Sequence, residues 1–173
     1  EGQYDMDGYC NQKYPCRASQ SDNKNIEYIF NRNEFTGYQS DENGGAIYLT
    51  NIGLKLENNK FKDCSSQSGG GAIYFKNEFE NTNQLKLSGI TFQNCQALYG
   101  GAVFAYSLNP ESFIKNCVFE SCKLIEPFSE QVVDIKGGSA LYLQMTFVNV
   151  KTNIFEDCSR SVIYLDGNIR LQS

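Results

Sequence analysis

The sequence predicts an all-β solenoid of about five full or partial coils, and three observations predict it. The first is a repeated phrase: Gly44-Gly45-Ala46-Ile47-Tyr48-Leu49, Gly70-Gly71-Ala72-Ile73-Tyr74-Phe75 and Gly100-Gly101-Ala102-Val103-Phe104-Ala105, with degenerate copies Gly138-Ser139-Ala140-Leu141-Tyr142-Leu143 and Arg160-Ser161-Val162-Ile163-Tyr164-Leu165. Their third positions lie 26, 30, 38 and 22 residues apart, a period that belongs to stacked repeats. The second is an interleaved phrase, Phe61-Lys62-Asp63-Cys64, Phe92-Gln93-Asn94-Cys95, Phe119-Glu120-Ser121-Cys122 and Phe155-Glu156-Asp157-Cys158, with a degenerate copy at Phe35-Thr36-Gly37-Tyr38. The third is what the chain lacks: no window sustains an apolar stripe of helical period.

Residues 1–25 precede the repeats and read as an N-terminal cap or linker, with the parallel coils filling 26–173. Cys10 and Cys16 lie in that segment beside Pro15. A pair so close either clips the segment as a disulfide or stays reduced. Before each repeated Phe runs a short alternation: Tyr28/Phe30, Leu54/Leu56, Leu85/Leu87, Ser112/Ile114 and Val148/Val150. Period-two alternation over so few residues reads as a strand. Each repeat is then two or three short strands separated by turns. Such a unit cannot bury its own apolar face, but stacked units about 4.8 Å apart can. The longest interval, Cys122 to Gly137 with Pro127, is the candidate protruding loop.

The paired glycines suit a tight corner repeated in register. They do not make a nucleotide loop, because no helix pattern and no Lys-Ser/Thr pair follows them. Ile47, Ile73, Val103, Leu141 and Ile163 form one aliphatic column, and Leu49, Phe75, Ala105, Leu143 and Leu165 a second on the same face. These and the five repeated Phe fill the interior. By strand parity the opposite face carries Tyr48, Tyr74, Phe104, Tyr142 and Tyr164, an aromatic ladder on the outside. The ladder either stabilises the sheet by cross-strand stacking or presents a flat aromatic surface to a glycan, a peptide or a neighbouring protein. It is the candidate binding site. Asn33, Asn59 and Asn153 share one repeat position, with Ile90 and Cys117 in other coils, and predict a broken asparagine ladder bonded to the backbone of the next coil.

Four of the seven cysteines, Cys64, Cys95, Cys122 and Cys158, share one position and are expected as a reduced, buried column. No metal site and no cofactor is expected, because the chain has no His and no Cys-x-x-Cys pair, and four cysteines in a line do not build a tetrahedral zinc site. The net charge is −5, with charges scattered. No basic stripe exists for nucleic acid, and no apolar run reaches membrane-spanning length. No Asn-x-Ser/Thr acceptor occurs. The last repeat ends within a coil at Leu171, so the expected partner is another protein, or the remainder of a longer chain, at an open C-terminal coil.

Gly-Gly-Ala-Ile strands alternating with Phe-x-x-Asn turns are the signature of chlamydial polymorphic outer membrane proteins, and this chain resembles them over roughly residues 26–171. The resemblance implies a right-handed parallel β-helix of the pectin-lyase type. Phe-x-x-Cys replaces Phe-x-x-Asn at Cys64, Cys95, Cys122 and Cys158, which is similar to Cys-bearing large surface proteins of protists. The Asn- and Gln-rich composition leans toward a ciliate. The resemblance thus implies an extracellular or cell-surface scaffold, structural or adhesive, rather than an enzyme. The alternative is a polysaccharide lyase or hydrolase, since similar helices host such enzymes. Such an enzyme needs clustered carboxylates. Asp63 and Asp157 share a repeat position, but Asn94 and Ser121 interrupt it, and neither Asp41-Glu42 nor Asp134 completes a pair.

Overall fold

The computed structural model describes residues 16–19, 26–78, 83–126, 137–159, 161–167 and 170–172. The chain winds as a parallel β-solenoid with four sheets along its length. The first sheet holds Cys16–Ser19, Ile47–Thr50, Ile73–Lys76, Val103–Tyr106, Leu141–Gln144 and Ile163–Asp166. The second holds Glu27–Asn31, Gly53–Glu57, Leu85–Ser88, Phe113–Lys115, Phe147–Lys151 and Arg170–Gln172. The third holds Glu34–Thr36, Lys60–Lys62, Thr91–Gln93, Val118–Glu120 and Ile154–Glu156, and the short fourth holds Gln39–Ser40, Ser65–Ser66, Gln96–Ala97 and Lys123–Leu124. Up to Leu124 the chain visits the sheets in that order turn by turn, and between Leu141 and Asp166 it passes the first three before returning to the first.

The repeat phrases fall in perfect register. Ile47 pairs with Ile73, Ile73 with Val103, Val103 with Leu141 and Leu141 with Ile163. Both aliphatic columns point inward and are fully buried from Ile47 to Leu143. The repeated Phe stack on the axis side of the third sheet with ring centroids 4.6, 5.2, 4.8 and 4.9 Å apart from Phe35 to Phe155. The segment expected as a cap or linker contributes Cys16–Ser19 as a strand paired with Ile47–Thr50. Cys16 is disulfide-bonded. Cys10 and the expected loop at 127–136 lie outside the described residues.

Corners, not strands, decide where the chain turns. Between the third and fourth sheets one residue per turn is left-handed: Gly37, Asp63, Asn94, Ser121 and Asp157, with φ between 50° and 72°. Asn and Asp tolerate this region better than other side chains, which accounts for the mixture at this position. The glycine pair divides its labour. Gly70 is left-handed (φ 68°), whereas Gly71 is needed for space: a Cβ there would lie 2.0 Å from the Gly101 carbonyl oxygen. The second member of the pair thus lets successive coils close on each other.

The asparagine ladder is present and runs backwards. Asn59 donates from Nδ2 to the Phe30 carbonyl at 2.9 Å and accepts from the Asn33 amide at 2.8 Å. Asn153 likewise donates to the Ile114 carbonyl and accepts from the Cys117 amide, both at 2.9 Å. The bonds therefore reach the preceding coil rather than the next.

Candidate functional site

The outer ladder is where strand parity puts it. Along Ile47–Thr50 and Ile73–Lys76, Tyr48 and Tyr74 alternate with fully buried neighbours and are themselves half-buried. The rings stack nearly parallel: Tyr48 on Tyr74 at 5.1 Å and 4°, Tyr74 on Phe104 at 4.8 Å and 6°, Phe104 on Tyr142 at 5.0 Å and 12°, Tyr142 on Tyr164 at 5.0 Å and 25°. This spacing is the sheet's own repeat, so each inner ring has both faces against other rings. Between the rungs a partner meets ring edges and hydroxyl groups, not a flat face.

Other groups cover parts of the ladder. The Arg17 guanidinium sits 5.1 Å from the Tyr48 ring centroid, a cation–π arrangement. Arg17 is held there by Glu42 at 3.1 Å, the Ser40 hydroxyl at 2.6 Å and the Asn43 carbonyl at 3.2 Å. Gly69 lies against Phe104, and Tyr99 meets Tyr142 edge-on at 5.6 Å. Tyr142 is only 7% exposed, and its hydroxyl donates to Asp166 at 3.1 Å. Burial, then the bond to that carboxylate, pushes its phenol well above the usual range.

The cysteine column is inside and reduced: Cys64, Cys95, Cys122 and Cys158 are free thiols. Each donates S–H to the carbonyl of the Phe one coil back: Cys64 to Phe35 at 3.4 Å, Cys95 to Phe61 at 3.8 Å, Cys122 to Phe92 at 3.7 Å and Cys158 to Phe119 at 3.4 Å. The thiols serve this corner as Asn59 and Asn153 serve theirs. Cys117 is also free and does not bridge to Cys122. Burial raises Cys95 well above the ordinary thiol range and Cys117 to about 11.

Among the described residues the sequence-predicted carboxylates do not converge. Asp63 and Asp157 stand on the same left-handed corner three sheet spacings apart, roughly 14 Å, whereas glycosidase pairs need about 5–9.5 Å. Asp63 accepts from the Asn94 amide at 3.0 Å, and Glu42 is paired with Arg17. Asp134 lies outside the described residues. Among the described residues no three His, Cys, Asp or Glu side chains group to hold a metal ion.

Sequence reasoning missed a polar groove of about 330 Å³ on the fourth sheet, lined by Gln39, Asp63, Ser65, Asn94, Cys95, Gln96, Ser121 and Lys123. Gln39, Ser65, Gln96 and Lys123 are in register, each following the Tyr or Cys of the corner. The available signal was that this position is polar in each of those coils, although no residue type dominates it. The groove offers hydrogen-bonding groups of both kinds and no aromatic face.

Comparison with family models, with curated proteins and with solved structures gives no match. None of these comparisons supports the resemblance to chlamydial or protist surface proteins, whereas the β-solenoid that the repeat motifs imply is the architecture described.

Proposed function

We propose that the chain is a non-enzymatic structural or adhesive scaffold segment of a larger extracellular or cell-surface protein, wound right-handed with about five coils. The observation that carries this reading is uniformity. The same inward aliphatic, inward Phe, thiol and outward aromatic columns pass from coil to coil, and the carboxylates sit as corner residues rather than as a pair. A catalytic centre would need a local exception to the columns. The disulfide at Cys16 supports an oxidising compartment. Right-handed winding is the hand that parallel crossover connections favour.

We place the protein contact on the C-terminal turn. Leu165 is 42% exposed there, although its column partners Leu49, Phe75, Ala105 and Leu143 are fully buried. A glycan contact would use the polar groove, which carries the hydrogen-bonding groups that sugars need. The test is to incubate the purified chain with a panel of polysaccharides and with extracellular-matrix and cell-surface preparations. The scaffold reading expects retention without release of reducing or unsaturated sugar ends. Steady release of such ends, lost in Asp63→Asn, would overturn it in favour of a polysaccharide lyase or hydrolase.

A further inference from the structure

We infer that Asn43 is a deamidation site gated by the fold: water converts its amide to a carboxylate only when the first glycine corner opens, and the isoaspartyl product keeps that corner from closing again. Asn43-Gly44 is the single Asn-Gly pair in the chain. Asparagine is a thermolabile residue, and a glycine after it, with no side chain, leaves its backbone nitrogen unhindered for attack on the amide. The position before the glycine pair is Gly69, Tyr99 or Gly137 in the other coils, so only the first coil carries an amide there.

The corner ties both reacting groups to one residue of the next coil. The Gly69 N–H donates to Asn43 Oδ1 at 2.8 Å, and the Gly44 N–H donates to the Gly69 carbonyl at 2.9 Å. Gly44 and Gly69 are buried and Asn43 is half-buried. The Asn43 carbonyl accepts from Arg17 at 3.2 Å and from the Ser40 hydroxyl at 3.3 Å, so the main chain is held as well. The bond to Oδ1 draws electrons from the amide carbon and by itself favours attack. The bond from Gly44 opposes it. Attack needs that nitrogen to lose its proton and swing toward Asn43 Cγ, and both mean leaving the Gly69 carbonyl. Leaving it strands buried backbone groups on two coils. The closed corner therefore does not react, and the rate follows the fraction of chains open there.

In the open corner the Gly44 nitrogen gives its proton to solvent and bonds to Asn43 Cγ, and the Cγ–Nδ2 bond breaks with Nδ2 leaving as ammonia. Water then opens the succinimide ring, with no change of oxidation state. Cleavage of the new Cγ–N bond gives aspartate on an unchanged main chain. Cleavage of the original C–N bond gives isoaspartate, whose main chain runs through Cγ and is one carbon longer. The fold separates the two products. Aspartate still offers an oxygen to the Gly69 N–H and stands beside the Arg17 guanidinium. Isoaspartate lengthens a corner that has no slack: a Cβ on Gly45 would lie 2.0 Å from the Gly71 carbonyl oxygen, and Ile47 pairs with Ile73 directly afterwards.

The test holds the full chain, disulfide intact, at neutral pH in buffer and in increasing urea. Conversion of Asn43 is followed by peptide mass spectrometry, with enzymatic methyl labelling of isoaspartate. Conversion in the unfolded chain should outrun that in buffer by about a hundredfold, as for a site that opens rarely. Arg17→Ala, which removes the bonds to Glu42, Ser40 and Asn43, should speed conversion in buffer while circular dichroism remains that of the fold. If Arg17→Ala does not fold, the urea series on the wild-type chain decides. Asn43→Asp should melt like the wild type, whereas isoaspartyl chains recovered from the unfolded sample should refold with a lower melting temperature. Equal rates in buffer and in urea would overturn the gate. Isoaspartyl chains that melt like Asn43→Asp would overturn the lock.

Discussion

Two aromatic columns run the length of this solenoid, one inside and one outside. The inner Phe rings stack at 4.6–5.2 Å and the outer Tyr and Phe rings at 4.8–5.1 Å. Their pitch is the same because neither column chose it; the hydrogen-bonded sheets did. What differs is water. Phe61, Phe92 and Phe119 are fully buried, whereas Tyr48, Tyr74 and Phe104 are half-buried. Ring stacking is worth about 0.5–1.5 kcal/mol beyond area burial, so the columns differ chiefly in apolar surface removed from water. A repeated aromatic in a parallel solenoid is therefore no sign of a binding site. Its environment has to be known first.

That difference is open to direct attack. Phe92→Ala removes a ring packed between Phe61 and Phe119 in a coil that cannot collapse, since its register is fixed on both sides. The expected cost is about 3–5 kcal/mol, read from the denaturant midpoint. Asn59→Ala comes next. It leaves the Phe30 carbonyl and the Asn33 amide without their side-chain partner at a site 2% exposed, at a cost of about 1–3 kcal/mol. Tyr74→Ala should cost less, about 1 kcal/mol, and Tyr74→Phe almost nothing. If Tyr74→Ala matched Phe92→Ala in the same denaturation series, the outer column would be core in all but position, and the contrast would fail.

The register, the inward and outward parity and the identity of the core were legible because every coil repeats them in phase. Side-chain period two then leaves only one way to bury Ile47, Ile73 and Val103 together. Features that hold only one coil to another were harder to read. Asn59 was recognisable as a ladder residue, but the direction of its bond depends on how its side chain leans between two coils of identical pitch. Gly37, Asp63, Asn94, Ser121 and Asp157 carried the signature of a left-handed corner in their mixture of types, yet the two aspartates drew attention as acids. Arg32 and Thr152 are also left-handed, with φ 58° and 54°, and nothing in their chemistry announces it. Arg17 over Tyr48 lies outside the repeats, so periodicity could not place it. The groove of Gln39, Ser65, Gln96 and Lys123 repeats polarity without repeating a residue, and a search for repeated letters passes over it.

The smallest expected effect separates the columns by chemistry rather than by size. Phenylalanine does not titrate, but Tyr142 does, and burial followed by its bond to Asp166 raises its phenol above the ordinary value of 10.0. The fold therefore favours the neutral phenol. This contribution is present in full below pH 10, where the phenol is neutral whether the chain is folded or not. As pH rises above 10 the unfolded chain releases the proton while the folded chain keeps it, so stability falls with pH until the folded value is reached. Tyr74 is raised too, mainly by burial, and adds to the same limb. The thiols of Cys95 and Cys117 are raised from 9.0 and begin to act earlier. The Tyr142 share is isolated as the difference between wild type and Tyr142→Phe in melting temperature from pH 9 to 11. Tyr142→Phe loses a hydrogen bond at neutral pH, so it should start slightly lower and fall less steeply above pH 10. Parallel curves would mean that the phenol ionises as easily in the fold as in water, and that the outer column is wetter at Tyr142 than its 7% exposure implies.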